Sequence, residues 1–140
     1  MSNNTYKGMR TFRKAIIGPE IYEVEHFVVV NDDARLMPSA AARRRYKAHK
    51  PTDLDWGFIG PYSLALAHSI LAHDLRDEPD GLSIAAERYI AFATVFIYTL
   101  PARGSARAGT NREWVLTSAE IRQWLDQQPI ILSQNKLAGF

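Results

Sequence analysis

The alternation of apolar and polar positions predicts strands in the first third of the chain. Residues 21–30 (IYEVEHFVVV) combine β-branched and aromatic side chains with alternating glutamates, which is typical of a half-buried strand. Residues 6–10 predict a short strand before it, and residues 34–37 predict a short return strand after the Asn-Asp-Asp turn. Residues 114–116 predict one further short strand. The first three segments together predict a small antiparallel sheet.

Helical periodicity dominates the chain beyond residue 60. Apolar residues recur at helical spacing over residues 61–77, where Pro at the first position favours a helix start. A second helix is predicted over residues 83–100, and it is apolar on most sides, as expected of a buried central helix. Thr117 with Glu120 three residues later forms a capping-box pattern, which predicts a third helix that ends at Pro129.

Residues 39–48 (SAAARRRYKA) leave two interpretations open. Ser39 is a candidate N-cap before good helix formers, which favours a short exposed helix. The same residues also suit a mobile basic loop.

Composition is consistent with one globular domain. The chain has 140 residues, of which 46% are hydrophobic, and it has no cysteine. The missing cysteines exclude disulfides, a thiol nucleophile and a Cys-rich zinc site. The predicted fold class is therefore α+β, a small antiparallel sheet packed against about three helices in a single domain over residues 1–128, followed by a C-terminal tail at residues 129–140.

Charge is distributed unevenly along the chain. Residues 1–50 carry ten basic and five acidic side chains, whereas residues 51–100 carry two basic and seven acidic ones. This asymmetry predicts surfaces of opposite sign, which steer partners, and is not by itself a nucleic-acid footprint. No signal-peptide pattern opens the chain, and its most apolar run, residues 89–100, is too short to cross a bilayer. We expect a cytoplasmic protein without a membrane partner.

Two segments carry a resemblance to a known family. Residues 6–10 (YKGMR) resemble the opening Tyr-x-Gly-x-Arg strand of an uncharacterised domain family of bacteria, phages and mobile elements, the domain-of-unknown-function family 6166 type. Residues 55–61 (DWGFIGP) resemble its Trp-Gly-Tyr loop and Gly-Ser-Gly-Pro turn, although Phe58 replaces the Tyr and the glycine loop is shortened. Residues 38–50 look like a basic insertion. The resemblance implies a small α+β domain and no particular reaction.

The most conspicuous charge run lies at residues 43–50 (RRRYKAHK). Such a run suits contact with phosphate or with an acidic protein groove, and it equally suits a solvated face. Consecutive arginines favour the first interpretation because arginine is suited to bidentate recognition. The candidate partner-binding residues are Arg43, Arg44, Arg45, Lys47 and Lys50, extended by Arg103 and Arg107 of a later basic loop.

A second candidate site is the loop before the first long helix. Trp56, Gly57 and Gly60 precede the helix start at Pro61, where exposed N–H groups favour a small anionic ligand. The alternative is a tight turn that lets Trp56 anchor the core, which the remaining tryptophans are also expected to join. His68 and His73 diverge by about 140° around a helix, so they do not predict a metal pair. We expect no metal and no cofactor.

No catalytic motif is present in the sequence, so the leading hypothesis is a non-enzymatic protein-binding module. The resemblance implies a phage or mobile-element modulator that inhibits a host protein or ribonucleoprotein complex by occlusion, for example an anti-defence protein acting on CRISPR–Cas (an anti-CRISPR). One alternative is a nucleic-acid-binding regulatory module that uses the arginine run, and another is a binder of a small anionic ligand. The apolar Ile130, Ile131 and Leu132 are the candidate surface for a homodimer.

Overall fold

A computed structural model describes residues 3–100 and 113–127 of the chain as one α+β unit. Its elements are β1 (Thr5–Lys14), β2 (Ile21–Val30), β3 (Ala34–Arg35), α1 (Ala40–Tyr46), α2 (Pro61–Asp74), α3 (Gly81–Phe92), β4 (Trp114–Thr117) and α4 (Ser118–Asp126). A short 3-10 turn, Pro51–Asp53, precedes α2, and a π-helical turn, Ala93–Ile97, follows α3. The predicted α+β class is confirmed. The predicted tail at residues 129–140 lies outside the described residues.

The four strands form one antiparallel sheet in the order β3-β2-β1-β4. Strand β1 pairs with β2 along its whole length, so Tyr6 lies opposite Val30 and Arg10 lies opposite His26. Residues that face each other across a ladder share one face of the sheet. The face that carries these four residues packs against the helices, and all four side chains are buried.

Gly8 lets β4 place a tryptophan across β1. A Cβ atom at this position would lie 2.0 Å from Nε1 of Trp114, so no other residue fits without moving the indole ring. The ring of Trp114 in turn meets that of Trp56 edge to face, with centroids 5.4 Å apart. These two rings and Trp124 are at most 8% exposed, which confirms that the three tryptophans belong to the core.

Several element bounds differ from those the sequence predicts. Strand β1 extends to Lys14 because β2 pairs with it down to the turn, although residues 11–14 lack an apolar alternation of their own. Strand β3 stops at Arg35, and α2 stops at Asp74, before the predicted breaker. Helix α3 starts at Gly81, whose missing side chain makes room for the carbonyl of Leu75, 2.0 Å from where a Cβ would lie.

The two interpretations of residues 39–48 are resolved in favour of a helix. Ser39 caps α1 by accepting a hydrogen bond from the backbone N–H of Ala42, and Lys47 ends it in the left-handed conformation with φ of 60°. The described residues therefore contain four α-helices rather than about three. The capping box of Thr117 and Glu120 at the start of α4 is also present. Within residues 3–100 and 113–127, no helix has the length and apolarity needed to cross a membrane.

Candidate functional site

The predicted basic run lies in the last turns of α1 and in the chain that follows it. Helix α1 packs against α2 through Ala42, and the chain after it is anchored by Ala48; both residues are fully buried. The cations between and around these anchors point to solvent. We call this feature the basic surface, and its members are Arg43, Arg44, Arg45, Lys47 and Lys50, all exposed.

Hydrogen bonds fix the side chain of Arg45 and the backbone that follows α1. Nη1 of Arg45 donates to the hydroxyl of Tyr89 on α3 at 2.9 Å, and that hydroxyl is also bonded to the hydroxyl of Tyr46. Burial and the bond with Tyr89 raise the pKa of Tyr46 to about 12, so the hydroxyl of Tyr46 stays protonated at neutral pH. On the other side, Asp53 accepts from the backbone N–H groups of His49 and Lys50 at 2.9 and 3.1 Å.

The cations of the basic surface differ from the paired cations elsewhere. Lys7, Arg35 and Arg122 each lie within 3.3 Å of a carboxylate oxygen. In the described part of the chain, no carboxylate forms an ion pair with any cation of the basic surface. Their field reaches the protein interior: the pKa of His68 on α2 is lowered by burial first and then by Arg45 and Arg44. The surface therefore presents a concentration of positive charge to solvent, with the carboxylate of Asp53 beside Lys50 as a nearby negative group.

The structure thus brings together the predicted residues of the first basic run. Arg103 and Arg107, predicted to extend the surface, lie outside the described residues. The same holds for Ile130, Ile131 and Leu132, the candidate homodimer surface.

The second candidate site is the loop before α2, and its Trp56 is not accessible to a ligand. Trp56 is fully buried, stacked beneath the guanidinium of Arg10 at 4.4 Å. Gly57 has φ of 84° and donates its N–H to the carbonyl of Ile97 at 3.0 Å, so it serves a tight turn. Gly60 carries the extended backbone that leads into α2. The arrangement agrees with Trp56 as a core anchor, and anion binding by the loop stays a prediction.

A buried ionic network that sequence reasoning missed lies beneath the sheet. Arg10 is 1% exposed and donates to Glu23 at 2.7 Å and to Asp55 at 2.8 Å. His26 lies between the same two carboxylates, 3.0 Å from Glu23 and 3.4 Å from Asp55. Burial opposes ionisation of Glu23, but its hydrogen bonds with His26 and Arg10 lower the pKa of its carboxyl group. The network joins β1, β2 and the Trp56 loop.

A second polar cluster joins the N-terminus to α2 and α4. One carboxylate oxygen of Asp74 accepts from Asn4 at 3.0 Å, from the hydroxyl of Tyr6 at 3.1 Å and from the hydroxyl of Ser118. Burial and the neighbouring Asp74 raise the pKa of Tyr6, so this phenol stays neutral. His73 bonds to the same hydroxyl at 2.8 Å. These groups are engaged with each other in a way that stabilises the fold.

The histidines that the sequence placed on α2 have separate partners. His68 is bonded to the hydroxyl of Ser39 at 2.8 Å, whereas His73 is bonded to Tyr6. Over residues 3–100 and 113–127, no three His, Asp or Glu side chains are grouped closely enough to hold a metal ion.

Several residues that carry the family resemblance are structural in this fold. Tyr6 and Trp56 are fully buried, Arg10 is nearly so, and Gly8 is covered by Trp114. Phe58 and Ile59 in the same segments are exposed. No functionally curated protein and no solved structure matches the chain. A family model matches residues 6–127, and the chain belongs to that family of unknown function, DUF6166.

Proposed function

We propose that this member of the family DUF6166 is a non-enzymatic binding module of the cytoplasm, which docks on an acidic surface of a partner protein or ribonucleoprotein complex. The observation that supports the proposal is the basic surface: five exposed cations within residues 43–50, of which Arg45 is fixed by a hydrogen bond to Tyr89 and none forms a salt bridge within the described residues. An acidic partner surface supplies the missing counter-charges and is attracted over several ångströms before contact.

The most specific form of the proposal is inhibition by occlusion. A module that covers a charged surface of a host complex blocks whatever normally binds there. The resemblance to a domain family of phages and mobile elements directs the search to host defence complexes, of which CRISPR–Cas is the example. The step from the family to this role is an analogy with other domains of phages and mobile elements. Identification of the partner tests it.

The experiment compares two variants of equal net charge in a pull-down from bacterial lysate, with and without nuclease. Arg43→Glu with Arg44→Glu alters the basic surface. Arg35→Glu with Arg76→Glu alters two exposed cations outside it by the same total charge. We expect a stoichiometric protein partner that survives nuclease, and that is lost with the first variant and kept with the second.

Two results would contradict the proposal. Equal loss in both variants would show that net charge alone governs retention. Release of all bound material by nuclease would favour the alternative of a nucleic-acid-binding module, for which the affinity falls steeply with salt and the first variant reduces that dependence.

A further inference from the structure

The distal half of the β1–β2 hairpin extends beyond the body of the protein. From residue 13 to residue 22 every side chain is exposed except that of Ala15, which is half-buried. The register is interrupted between Thr11 and Phe12, which marks a β-bulge at the base of this segment. Beyond the bulge the only strand pairing is between β1 and β2 themselves, among the described residues. We call residues 13–22 the arm.

The tip of the arm is apolar and fully solvated. Ile16 is 102% exposed and Ile17 is 90% exposed, which makes them the two most exposed large hydrophobic side chains among the described residues. Ile21 and Tyr22 on the returning strand are 39% and 52% exposed. Exposed large apolar side chains concentrated at the tip of a hairpin, which we call the knob, are typical of a surface that a partner covers.

Charges of both signs flank the knob on opposite strands. Arg13 and Lys14 lie on β1, paired with Tyr22 and Ile21 across the ladder. Glu20 lies on the other side of the turn, where its carbonyl accepts from the N–H of Ala15 at 2.8 Å. A nucleic acid or an anionic bilayer attracts the two cations but repels the carboxylate beside the tip. A protein pocket can match both signs, and this mixed pattern decides between the classes of partner.

We propose that the arm is the specificity element of the module and inserts Ile16 and Ile17 into an apolar pocket of the partner protein, whose rim is acidic on the β1 side and basic on the Glu20 side. The inference rests on the proposed function in one respect, that the partner is a protein. The two surfaces have different roles in it. The basic surface accelerates association with the partner. The two isoleucines, once they are inserted into the pocket of the partner, slow dissociation.

Binding kinetics separate these roles. The partner retained in the nuclease-treated pull-down is purified, and its association and dissociation rates with the full chain are measured by biolayer interferometry at two salt concentrations. The arm variant is Ile16→Ser with Ile17→Ser. The matched control is Ile90→Ser, at an isoleucine of α3 that is 56% exposed and outside the arm. Equal urea midpoints of the three proteins show that folding is unchanged.

We expect the arm variant to dissociate at least about tenfold faster, with little change in association rate, because truncated anchors act mainly on dissociation. Ile90→Ser should behave as the unaltered chain does. Glu20→Lys should also weaken binding, since it removes the negative half of the charge pattern.

Every other outcome of these measurements contradicts either this inference or the proposed function. An unchanged dissociation rate in the arm variant refutes the inference and leaves the proposed function standing, provided that Arg43→Glu with Arg44→Glu still slows association. An arm effect without any effect of that arginine variant refutes the basic surface instead. If no protein is retained, both fall. If Glu20→Lys tightens binding to a DNA duplex or to phosphatidylglycerol vesicles in a manner that depends on Ile16 and Ile17, the occupant is not a protein pocket.

Discussion

Replacement of Arg10 by methionine tests whether the buried network holds the sheet to the Trp56 loop. Methionine keeps much of the side-chain length but removes the charge that pairs with Glu23 at 2.7 Å and with Asp55 at 2.8 Å. Asp55 is 2% exposed, so its carboxylate loses a partner without gaining water. Removing one member of a buried ion pair costs about 3–5 kcal/mol of unfolding free energy.

Urea denaturation followed by tryptophan fluorescence measures this loss. With a urea dependence of about 2 kcal/mol per molar, the unfolding midpoint should fall by roughly 1.5–2.5 M. Arg13→Met is the matched control on the same strand, because Arg13 is exposed and its replacement should change stability by no more than about 0.5 kcal/mol. If Arg10→Met lowers the unfolding free energy by less than about 1 kcal/mol, well short of the cost of a broken buried ion pair, the reasoning is refuted.

The pH dependence gives an independent check. The pKa of Glu23 in the folded protein lies below its ordinary value of 4.5 because hydrogen bonds from His26 and Arg10 outweigh burial. The ionised carboxylate therefore contributes stability that is present above pH 4.5 and is lost as the pH falls through the lower folded pKa. Without Arg10 that pKa rises, so the midpoint should depend less on pH in this range than it does in the unaltered chain. Parallel pH profiles would contradict the assignment.

Two further predictions concern the core and α2. Gly8→Ala places a Cβ atom 2.0 Å from Nε1 of Trp114, and we expect a loss of at least about 1–3 kcal/mol in urea denaturation; an unchanged midpoint would mean that the indole ring does not lie across β1. The pKa of His68 is lowered by burial, then by Arg45 and Arg44, from its ordinary value of 6.5, so stability is lost as the pH falls below 6.5. His68→Gln should therefore reduce the change of the unfolding midpoint between about pH 7 and pH 5. The exposed His49→Gln is the control, and equal slopes in both variants would reject this role of His68.

Features that depend on neighbouring residues were predictable from the sequence. The capping box of Thr117 and Glu120, the N-cap Ser39 and the turn after β2 all depend on hydrogen bonds or backbone preferences within a few positions. The composition of the basic surface was also predictable, since its members all lie within residues 43–50. The local sequence left open whether residues 39–48 form a helix; in the structure Ser39 caps a helix whose Ala42 packs into the core.

The tertiary structure alone decided which charged and apolar residues are buried. Arg10 and Asp55 are 45 positions apart, and nothing in the local pattern separates Arg10 from the exposed Arg13. Likewise, Ile16 and Ile17 are as apolar as the buried residues of β2, yet they are exposed at the tip of the arm. Local sequence preferences reflect interactions between residues a few positions apart. Burial depends instead on which distant segments pack together, and that information is carried by the folded chain as a whole.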